Sequence, residues 1–475
     1  MWKRGARDLG RMIESGEISS LELTRYFIER IERLDGKINS VVVRAFDRAL
    51  RKAEEADRSK ERLSCLHGVP ITVKECFWMK DTLSTCGIRD LEHFRDFVAP
   101  SDSPLVNTLE RTLGCVIIGK TNLPEHSADI QTYNRTYGQT RNPWNVERTC
   151  GGSSGGSATA ICAGLSALEF GTDIAGSIRI PSSFTGVCGH KPTNGLISMS
   201  GCSPNYNHPS LESNVDFQTR FDPLTPRLAC AGGIARQCED LELSMKLLST
   251  HCSDQKLESD SAWHFTFPEP RTKSISDLRF ATWFHDDFCD VESSSVRVLE
   301  HASSTLVSAG ASIVPKPEIP FKRSHNAFEQ LLNAEMGQSG GLKYAKFSFA
   351  QNRRNVLRNL WRRYFRDHDV DVVLLPVFPR EAFPHDIDTP IRERTLNVNG
   401  KELEYWSSST KWAGLASLAG LPATSVPIGQ IDGLPVGVQI VSAPYNDLQC
   451  IEVGKMFEHL GFGYVPPPGF DDGDS

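Results

Sequence analysis

Apolar positions recur at helical and strand-like spacings along most of the chain. Residues 19–34 carry one apolar face at helical spacing, formed by Leu23, Phe27, Ile31 and Leu34. Ser19 or Ser20 is a candidate helix cap, with Glu22 in the first turn. Residues 41–46 are β-branched and predict a short strand, and the charged stretch after them predicts an exposed helix. We therefore expect residues 1–66 to form a largely helical N-terminal segment.

From residue 67 onward, buried strands and helices alternate. The run GVPITVKECF predicts a buried strand that ends near Lys74. Residues 103–114 predict a helix leading into a second buried strand, CVIIGKTN, and residues 158–167 and 168–171 predict another helix and strand. Such alternation with short turns predicts an α/β sheet covered on both faces.

The C-terminal half repeats this pattern less densely. An Asn399-Gly400 pair predicts a hairpin, and residues 319–369 carry Arg-rich helical stretches whose place on the sheet stays open. Four further helices are predicted at residues 233–250, 294–309, 410–420 and 448–460. Four strands are predicted at residues 278–284, 371–379, 423–429 and 434–444.

Length and composition narrow the class of protein. A chain of 475 residues suggests about three average domains, yet no linker divides it, so one large domain is equally allowed. The net charge of -7 and the lack of Lys/Arg runs argue against nucleic acid as the main partner. No secretory signal or membrane-spanning run is present in the sequence.

The 13 cysteines show no repeated spacing, which favours reduced thiols and a cytoplasmic location. Zinc is not expected, because the sequence has no C-x-x-C and no H-E-x-x-H motif. The stretch from Cys202 to His208 offers only weak metal-ligand spacing. We also expect no organic cofactor.

Residues 149–193 concentrate the candidate chemistry, because Ser153 and Ser177 each lie in a glycine-rich turn. A serine hydroxyl needs a base before it acts as a nucleophile. The nearby histidines His67, His126 and His190 do not lie in a G-x-S-x-G elbow. Lys74 is the alternative base, since a buried lysine loses its charge readily. The competing interpretation is a lysine that extends to solvent from a strand end.

The turn before Ser177 supplies the second element of a catalytic site. The backbone N–H groups of Ile174, Ala175, Gly176 and Ser177 round a tight corner, and such groups stabilise an oxyanion. A phosphate-binding loop is the alternative, but no Lys-Ser/Thr follows GGSSGG and no G-x-G-x-x-G opens the helix.

Six motifs in order, GVPITVKE, GKTNLPE, YGQTRNPW, GGSSGGS, GTDIAGSIRIPS and GHKPT, resemble the amidase signature family. The C-terminal GLPVGVQIV is similar as well, and the FGTDIAGSIR and GHKPT segments resemble the fatty-acid amide hydrolase branch. The resemblance implies one α/β/α domain over residues 1–475, with a catalytic core at 67–195 and pocket segments and covering helices at 196–475. It implies a mixed, mostly parallel central sheet and a serine hydrolase of amide bonds that forms an acyl-enzyme.

The resemblance also implies roles for individual residues. Ser177 matches the nucleophile, Ser153 the bridging serine on a cis peptide bond, and Lys74 the base. Residues 174–177 would hold the oxyanion, and Ser127 matches a residue that lines the substrate.

Supporting roles follow for the residues around the turn. Ser154 and Thr172 would support its geometry, and Asp173 with Arg179 would form a structural pair. The family usually has Gly-Gly before the nucleophile, so Ala175 is a departure that requires a negative φ or narrows the acyl pocket. Gly233 stands where the family commonly has proline.

Three functions are compatible with these residues. The first is a hydrolase of linear amides, with esters and carbamates as further candidate substrates. The second is a component of a transamidation complex. In that branch the positions of Ile174 and Ile180 carry polar residues, whereas the isoleucines here suit an apolar acyl or aryl group better. The third is a catalytically silent binding protein on the same fold.

The expected partner is a small-molecule amide, and a homodimer stays open. The candidate pocket aromatics are Phe184, Phe217, Phe221 and Trp412.

Overall fold

A computed structural model of the chain describes residues 1–90, 95–202, 228–249, 265–336 and 344–471. Its strands are β1 (Val41–Arg44), β2 (Pro70–Lys74), β3 (Val116–Thr121), β4 (Tyr133–Asn134), β5 (Gly138–Gln139), β6 (Arg141–Asn142), β7 (Asn145–Thr149), β8 (Glu169–Asp173), β9 (Cys188–Lys191), β10 (Cys230–Ala235), β11 (Arg279–Thr282), β12 (Ser312–Ile313), β13 (Val372–Pro376), β14 (Thr395–Val398), β15 (Lys401–Glu404), β16 (Ala423–Ile431) and β17 (Leu434–Val441). Its α-helices span Ala6–Glu14, Ser20–Leu34, Phe46–Arg58, Pro104–Asn107, Gly155–Cys162, Arg179–Thr185, Cys238–Ser249, Ser293–Ser308, Phe321–Glu335, Tyr344–Asp367, Tyr405–Ala419 and Asp447–His459.

One sheet organises the fold, with eleven strands in the order β1-β3-β2-β8-β10-β9-β16-β17-β13-β11-β12. β2 runs parallel to β3 and β8, and β11 runs parallel to β12 and β13. The other neighbouring pairs are antiparallel. The mixed α/β fold is therefore confirmed, but the expectation of a mostly parallel sheet is wrong. The helix Arg179–Thr185 follows β8 and leads into β9, and β10 lies between these two strands in the sheet, antiparallel to both.

Both faces of the sheet are covered, as the alternation along β13 shows. Val372 and Leu374 belong to one buried apolar cluster, whereas Val373 and Leu375 belong to another. The first cluster includes residues of the helices Ser20–Leu34, Cys238–Ser249, Ser293–Ser308 and Asp447–His459. The second includes residues of the helices Phe321–Glu335, Tyr344–Asp367 and Tyr405–Ala419. The Arg-rich region that sequence reasoning left unplaced thus covers one face of the sheet.

Most predicted elements form near their expected bounds. The helix Ser20–Leu34 begins at Ser19, whose side chain forms a reciprocal capping box with Glu22. The predicted helix over residues 233–250 is wrong at its start, because Gly233 to Ala235 lie in β10 and the helix begins at Cys238. No helix among the described residues is both long and apolar enough to cross a membrane. The assignment of the whole chain to one domain stays a prediction.

Arg30 joins distant parts of the chain inside the core. Its Nε donates to the Gly164 carbonyl at 3.0 Å, and its Nη2 donates to the carbonyls of Ala163 (3.0 Å) and Phe470 (2.7 Å). The guanidinium also lies 4.4 Å from the ring centroid of Trp2. One buried side chain therefore holds together both terminal regions and the end of the helix Gly155–Cys162.

We predict that Arg30→Met lowers the free energy of unfolding by about 3 kcal/mol, because it leaves buried carbonyls without a donor. Urea denaturation followed by circular dichroism measures this change. Arg25→Met, at an exposed position of the same helix, is the matched control and should change stability by about 0.5 kcal/mol or less. Equal stability of the two variants would contradict the structural role of Arg30.

Candidate active site

The candidate site lies where two parallel strands end. β2 and β8 are parallel neighbours, with Val73 paired to Phe170. Lys74 ends β2, and Thr172 and Asp173 end β8. Because the carboxyl ends of neighbouring parallel strands lie at the same edge of a sheet, these side chains meet there, as in other open α/β folds.

The Lys74 side chain is fully buried and is held by two hydroxyl groups. Its Nζ donates to Ser153 Oγ at 2.6 Å and to Thr172 Oγ1 at 2.9 Å. Burial lowers the pKa of Lys74, because the ammonium form loses its hydration. The interpretation of Lys74 as a side chain that extends to solvent is therefore wrong.

Ser153 lies in the loop before the helix Gly155–Cys162, and the peptide bond between Gly152 and Ser153 is cis. The glycines of this loop allow close backbone approach. A Cβ at Gly151 would lie 2.7 Å from Pro181 Cα, and one at Gly156 would clash with the backbone of Asn122. The lack of side chains at Gly151 and Gly156 thus allows the loop to pack directly against Pro181 and Asn122.

Ser177 lies in the turn that follows β8, next to the Ser153 loop. The Ser154 N–H donates to the Ser177 carbonyl at 3.0 Å, which holds the two serine-bearing loops together. Gly176 has a φ of 108°, a left-handed conformation that favours glycine, and a Cβ there would lie 2.6 Å from Ile180 Cδ1. Within the described residues the Ser177 hydroxyl makes no hydrogen bond, so its oxygen is not held by another side chain there.

Asp173 fixes the shape of this turn. Its carboxylate accepts the N–H groups of Gly176 (2.9 Å) and Ile178 (3.0 Å) and pairs with the Arg179 guanidinium at 2.7 Å. Burial opposes ionisation, but the Arg179 charge and hydrogen bonds outweigh it and lower the pKa of Asp173 to about 2. The sequence-based expectation of an Asp173–Arg179 pair matches this geometry.

The backbone N–H groups of the turn differ in their availability. The Gly176 N–H is engaged by Asp173. In the part of the chain that the structure describes, the N–H groups of Ile174, Ala175 and Ser177 make no hydrogen bond. Three of the four N–H groups thus remain available as donors there, and the assignment of residues 174–177 to an oxyanion stays a prediction.

The backbone conformation of Ala175 shows how the turn accommodates alanine before Gly176. Ala175 is not among the residues with positive φ, so the turn accommodates its Cβ by a negative φ and reserves the left-handed position for Gly176. Ala175 belongs to the buried apolar cluster that also contains Phe328 and Trp412, and Ile174 packs against it. The segment before Ser177 therefore contacts an apolar region.

The remaining predicted pocket residues divide into three groups. Phe184 is fully buried in a separate cluster with Phe378 and Phe383, so it is a core aromatic. Trp412 is also fully buried, in the cluster that contains Ala175. Phe217 and Phe221 lie outside the described residues, as does His208.

Ser127 lies at the end of a short helical turn, Glu125–Ser127, with a φ of 55°. Its side chain is partly exposed. The histidines considered as bases have other contacts: His190 Nε2 lies 3.2 Å from Asp447 Oδ1, and His67 Nε2 lies 3.3 Å from the Ala56 carbonyl. The structure thus gives neither of these two histidines a hydrogen bond to Ser153 or Ser177.

Sequence reasoning missed the residues that hold Arg179 from the other side. Its Nη1 donates to the Ala413 carbonyl at 2.9 Å and to Gln439 Oε1, and its Nη2 donates to Ser417 Oγ at 2.9 Å. These contacts come from residues 234 to 260 positions away in the sequence. No local motif reveals them.

Known proteins share this fold and sequence pattern. A model of the Amidase family matches residues 22–339 and 318–451. Indoleacetamide hydrolase of Bradyrhizobium diazoefficiens is 28% identical over 97% of this chain and 87% of its own length. A glutamyl-tRNA(Gln) amidotransferase subunit of Clostridium kluyveri is 29% identical over 95% of this chain and 94% of its own length.

The solved structure of a fatty acid amide hydrolase matches with a TM-score of 0.80 and 24% identity, covering 97% of this chain and 85% of that one. This likeness confirms the fold. Because the family model matches nearly the whole chain, the protein belongs to the amidase signature family of amide-hydrolysing enzymes.

Proposed function

We propose that Ser177, Ser153 and Lys74 form the catalytic triad of a hydrolase acting on carboxylic amides with an apolar acyl or aryl group. The observation that carries the proposal is the 2.6 Å hydrogen bond between Lys74 Nζ and Ser153 Oγ inside a fully buried site. Burial favours the neutral amine, which is the form of lysine that accepts a proton.

The proton path follows the order of these groups. Ser153 transfers its hydroxyl proton to neutral Lys74 while it takes the proton of Ser177. The Ser177 oxygen then bonds to the substrate carbonyl carbon, whose π electrons move to oxygen. As the C–N bond breaks, the same path returns a proton to the amine nitrogen. The acyl group stays on Ser177 until water attacks it and releases the carboxylic acid.

The turn supplies the electrostatic part of the reaction. The N–H groups of Ile174, Ala175 and Ser177 would donate to the oxyanion, and Asp173 fixes their direction through Gly176 and Ile178. Ser127 would line the substrate.

An apolar substrate is favoured by the environment of the turn. Ala175 and Ile174 adjoin an apolar cluster that contains Trp283, Phe321 and Trp412. The relative from Bradyrhizobium diazoefficiens is named an indoleacetamide hydrolase, which favours an aryl-substituted amide for this chain as well. Esters and carbamates are further candidate substrates, since the same acyl chemistry cleaves them.

The amidotransferase relatives support the second candidate, a component of a complex that releases ammonia for transfer to an aminoacyl-tRNA. The apolar surroundings of Ile174 favour the hydrolase instead. We further propose a cytoplasmic location, because the cysteines of the described residues are free thiols, and a small-molecule amide rather than nucleic acid as the partner. Oligomeric state, including a homodimer, stays open.

We predict that Ser177→Ala lowers kcat/KM for an aryl amide by at least about 10³-fold, because it removes the proposed nucleophile. The measurement is a hydrolysis panel on the isolated chain, from acetamide through aryl amides to long-chain acyl amides, with glutamine as a further substrate. Ser166→Ala, at a buried serine outside the site, is the matched control. Full activity of Ser177→Ala would exclude the proposed nucleophile. Hydrolysis of glutamine alone would favour the amidotransferase.

We predict that Lys74→Met removes most of the activity together with its dependence on pH. In the unmodified protein, kcat should rise with pH while the amine of Lys74 loses its proton and should level off above its lowered pKa. Measuring kcat between about pH 6 and pH 10 tests this. Lys80→Met, at an exposed lysine, should leave the profile unchanged. A Lys74→Met variant with the original profile would indicate a histidine base.

We predict that Ala175→Gly raises kcat/KM for bulky acyl groups relative to acetyl by about tenfold, because it removes one methyl group from the apolar wall. The same panel measures this ratio. Ala443→Gly, at a residue that packs against the same cluster outside the turn, is the control. An unchanged ratio would place the acyl pocket away from Ala175.

A further inference from the structure

Three potential metal ligands meet at the opposite end of the sheet from Lys74. Cys188 begins β9, Cys238 begins a helix, and Glu458 lies near the end of the helix Asp447–His459. Along β10, Cys230 pairs with Asp173, whereas Ala235 pairs with Cys188. Five residues of strand separate the two positions by about 17 Å. The cluster is therefore distinct from the candidate active site.

Two of the three distances between these side chains match the edges of a metal coordination tetrahedron, and the third, between Cys238 Sγ and the Glu458 carboxylate, is within 4.8 Å. Cys188 Sγ lies 3.6 Å from Cys238 Sγ and 3.6 Å from Glu458 Oε1. Tetrahedral Zn²⁺ with Zn–S of about 2.3 Å and Zn–O of about 2.0 Å requires S···S of about 3.8 Å and S···O of about 3.5 Å. Both observed distances agree with these values to about 0.2 Å. Among the described residues, this is the one group of three or more such side chains whose ligand atoms all lie within 4.8 Å of one another.

Neighbouring groups hold the three ligands in place. The Cys238 N–H donates to Glu458 Oε1 at 2.9 Å, which orients the carboxylate, as hydrogen bonds to metal ligands commonly do. A Cβ at Gly454 would lie 2.6 Å from Cys238 Sγ, so the glycine allows the helix bearing Glu458 to approach Cys238.

We propose that Cys188, Cys238 and Glu458 bind a structural Zn²⁺. Both thiols are buried, and Glu458 is only partly buried, which provides an entry path from solvent. Water or the Arg236 carbonyl, 3.9 Å from Cys188 Sγ, would supply the fourth ligand. The ion would link β9, the helix Cys238–Ser249 and the helix Asp447–His459, which come from distant parts of the sequence.

This proposal replaces the sequence-based expectation that no metal is bound. That expectation rested on the absence of C-x-x-C and H-E-x-x-H spacings. Here the ligands are 50 and 220 positions apart, so only the folded chain brings them together.

The test is a metal titration of the full chain. The protein is first reduced, freed of metal with a chelator and kept under argon. Co²⁺ is then added as a spectroscopic probe, and Zn²⁺ is added as its competitor. We expect one Co²⁺ per chain with thiolate-to-metal charge-transfer absorption, displaced by Zn²⁺. Cys238→Ala should lose the absorption. Glu458→Gln keeps a hydrogen-bond acceptor for the Cys238 N–H but removes the charge of a direct ligand, so it should weaken Zn²⁺ binding by at least about 10-fold, the lower end of the loss seen when only an outer partner is removed. Cys115→Ala, at a buried thiol elsewhere, should bind as the unmodified chain does.

Three results would overturn the proposal. One is folded, reduced protein that binds neither ion. Another is a Cys188–Cys238 disulfide formed in air by protein that bound no metal when reduced. The last is unchanged Zn²⁺ affinity in Glu458→Gln, a variant that serves as the test if Cys238→Ala does not fold. Amide hydrolysis reports folding separately, so failure of the metal site is distinguishable from failure of the catalytic proposal.

Discussion

The geometry of the candidate site depends on the buried ion pair between Asp173 and Arg179. Both side chains are removed from solvent, so each charge depends on its partner and on hydrogen bonds to offset the loss of hydration. Asp173 meets this need with backbone N–H groups of the turn, and Arg179 with Ala413, Ser417 and Gln439. The turn bearing Ser177 is thereby fixed to a helix and a strand from the C-terminal third of the chain.

Two buried basic side chains near this turn, Arg179 and Lys74, have different electrostatic environments. Arg179 faces a carboxylate, which stabilises its charge. Lys74 instead has two hydroxyl partners, Ser153 and Thr172, so desolvation prevails and its pKa falls. The difference in partners suits the proposed role of Lys74, because a base must be able to lose its proton whereas a structural guanidinium must stay charged.

The sequence predicted those features that depend on neighbours along the chain. Lys74 at a strand end, the glycine-rich loop around Ser153 and the turn before Ser177 each arise from a few consecutive residues, so local patterns were enough. Strand direction was a different matter. Apolar periodicity identifies a strand but not its neighbour, so the insertion of β10 between β8 and β9 could not be seen. The partners of Arg179 and the Cys188–Cys238–Glu458 cluster were missed for the same reason, since tertiary packing alone joins them.

The contrast between features set by consecutive residues and features set by tertiary packing also applies to the proposed substrate preference. The atoms proposed to break the amide bond come from residues 74–177, which the motifs identify. The apolar cluster next to Ala175 instead includes the helices Phe321–Glu335 and Tyr344–Asp367, from the region that periodicity could not place. Gly176 takes the left-handed conformation of the turn, which leaves Ala175 free to direct a Cβ toward this cluster. In the proposed function, different parts of the chain therefore set the reaction type and the acyl preference, and these parts meet at Ala175 and Gly176 before Ser177.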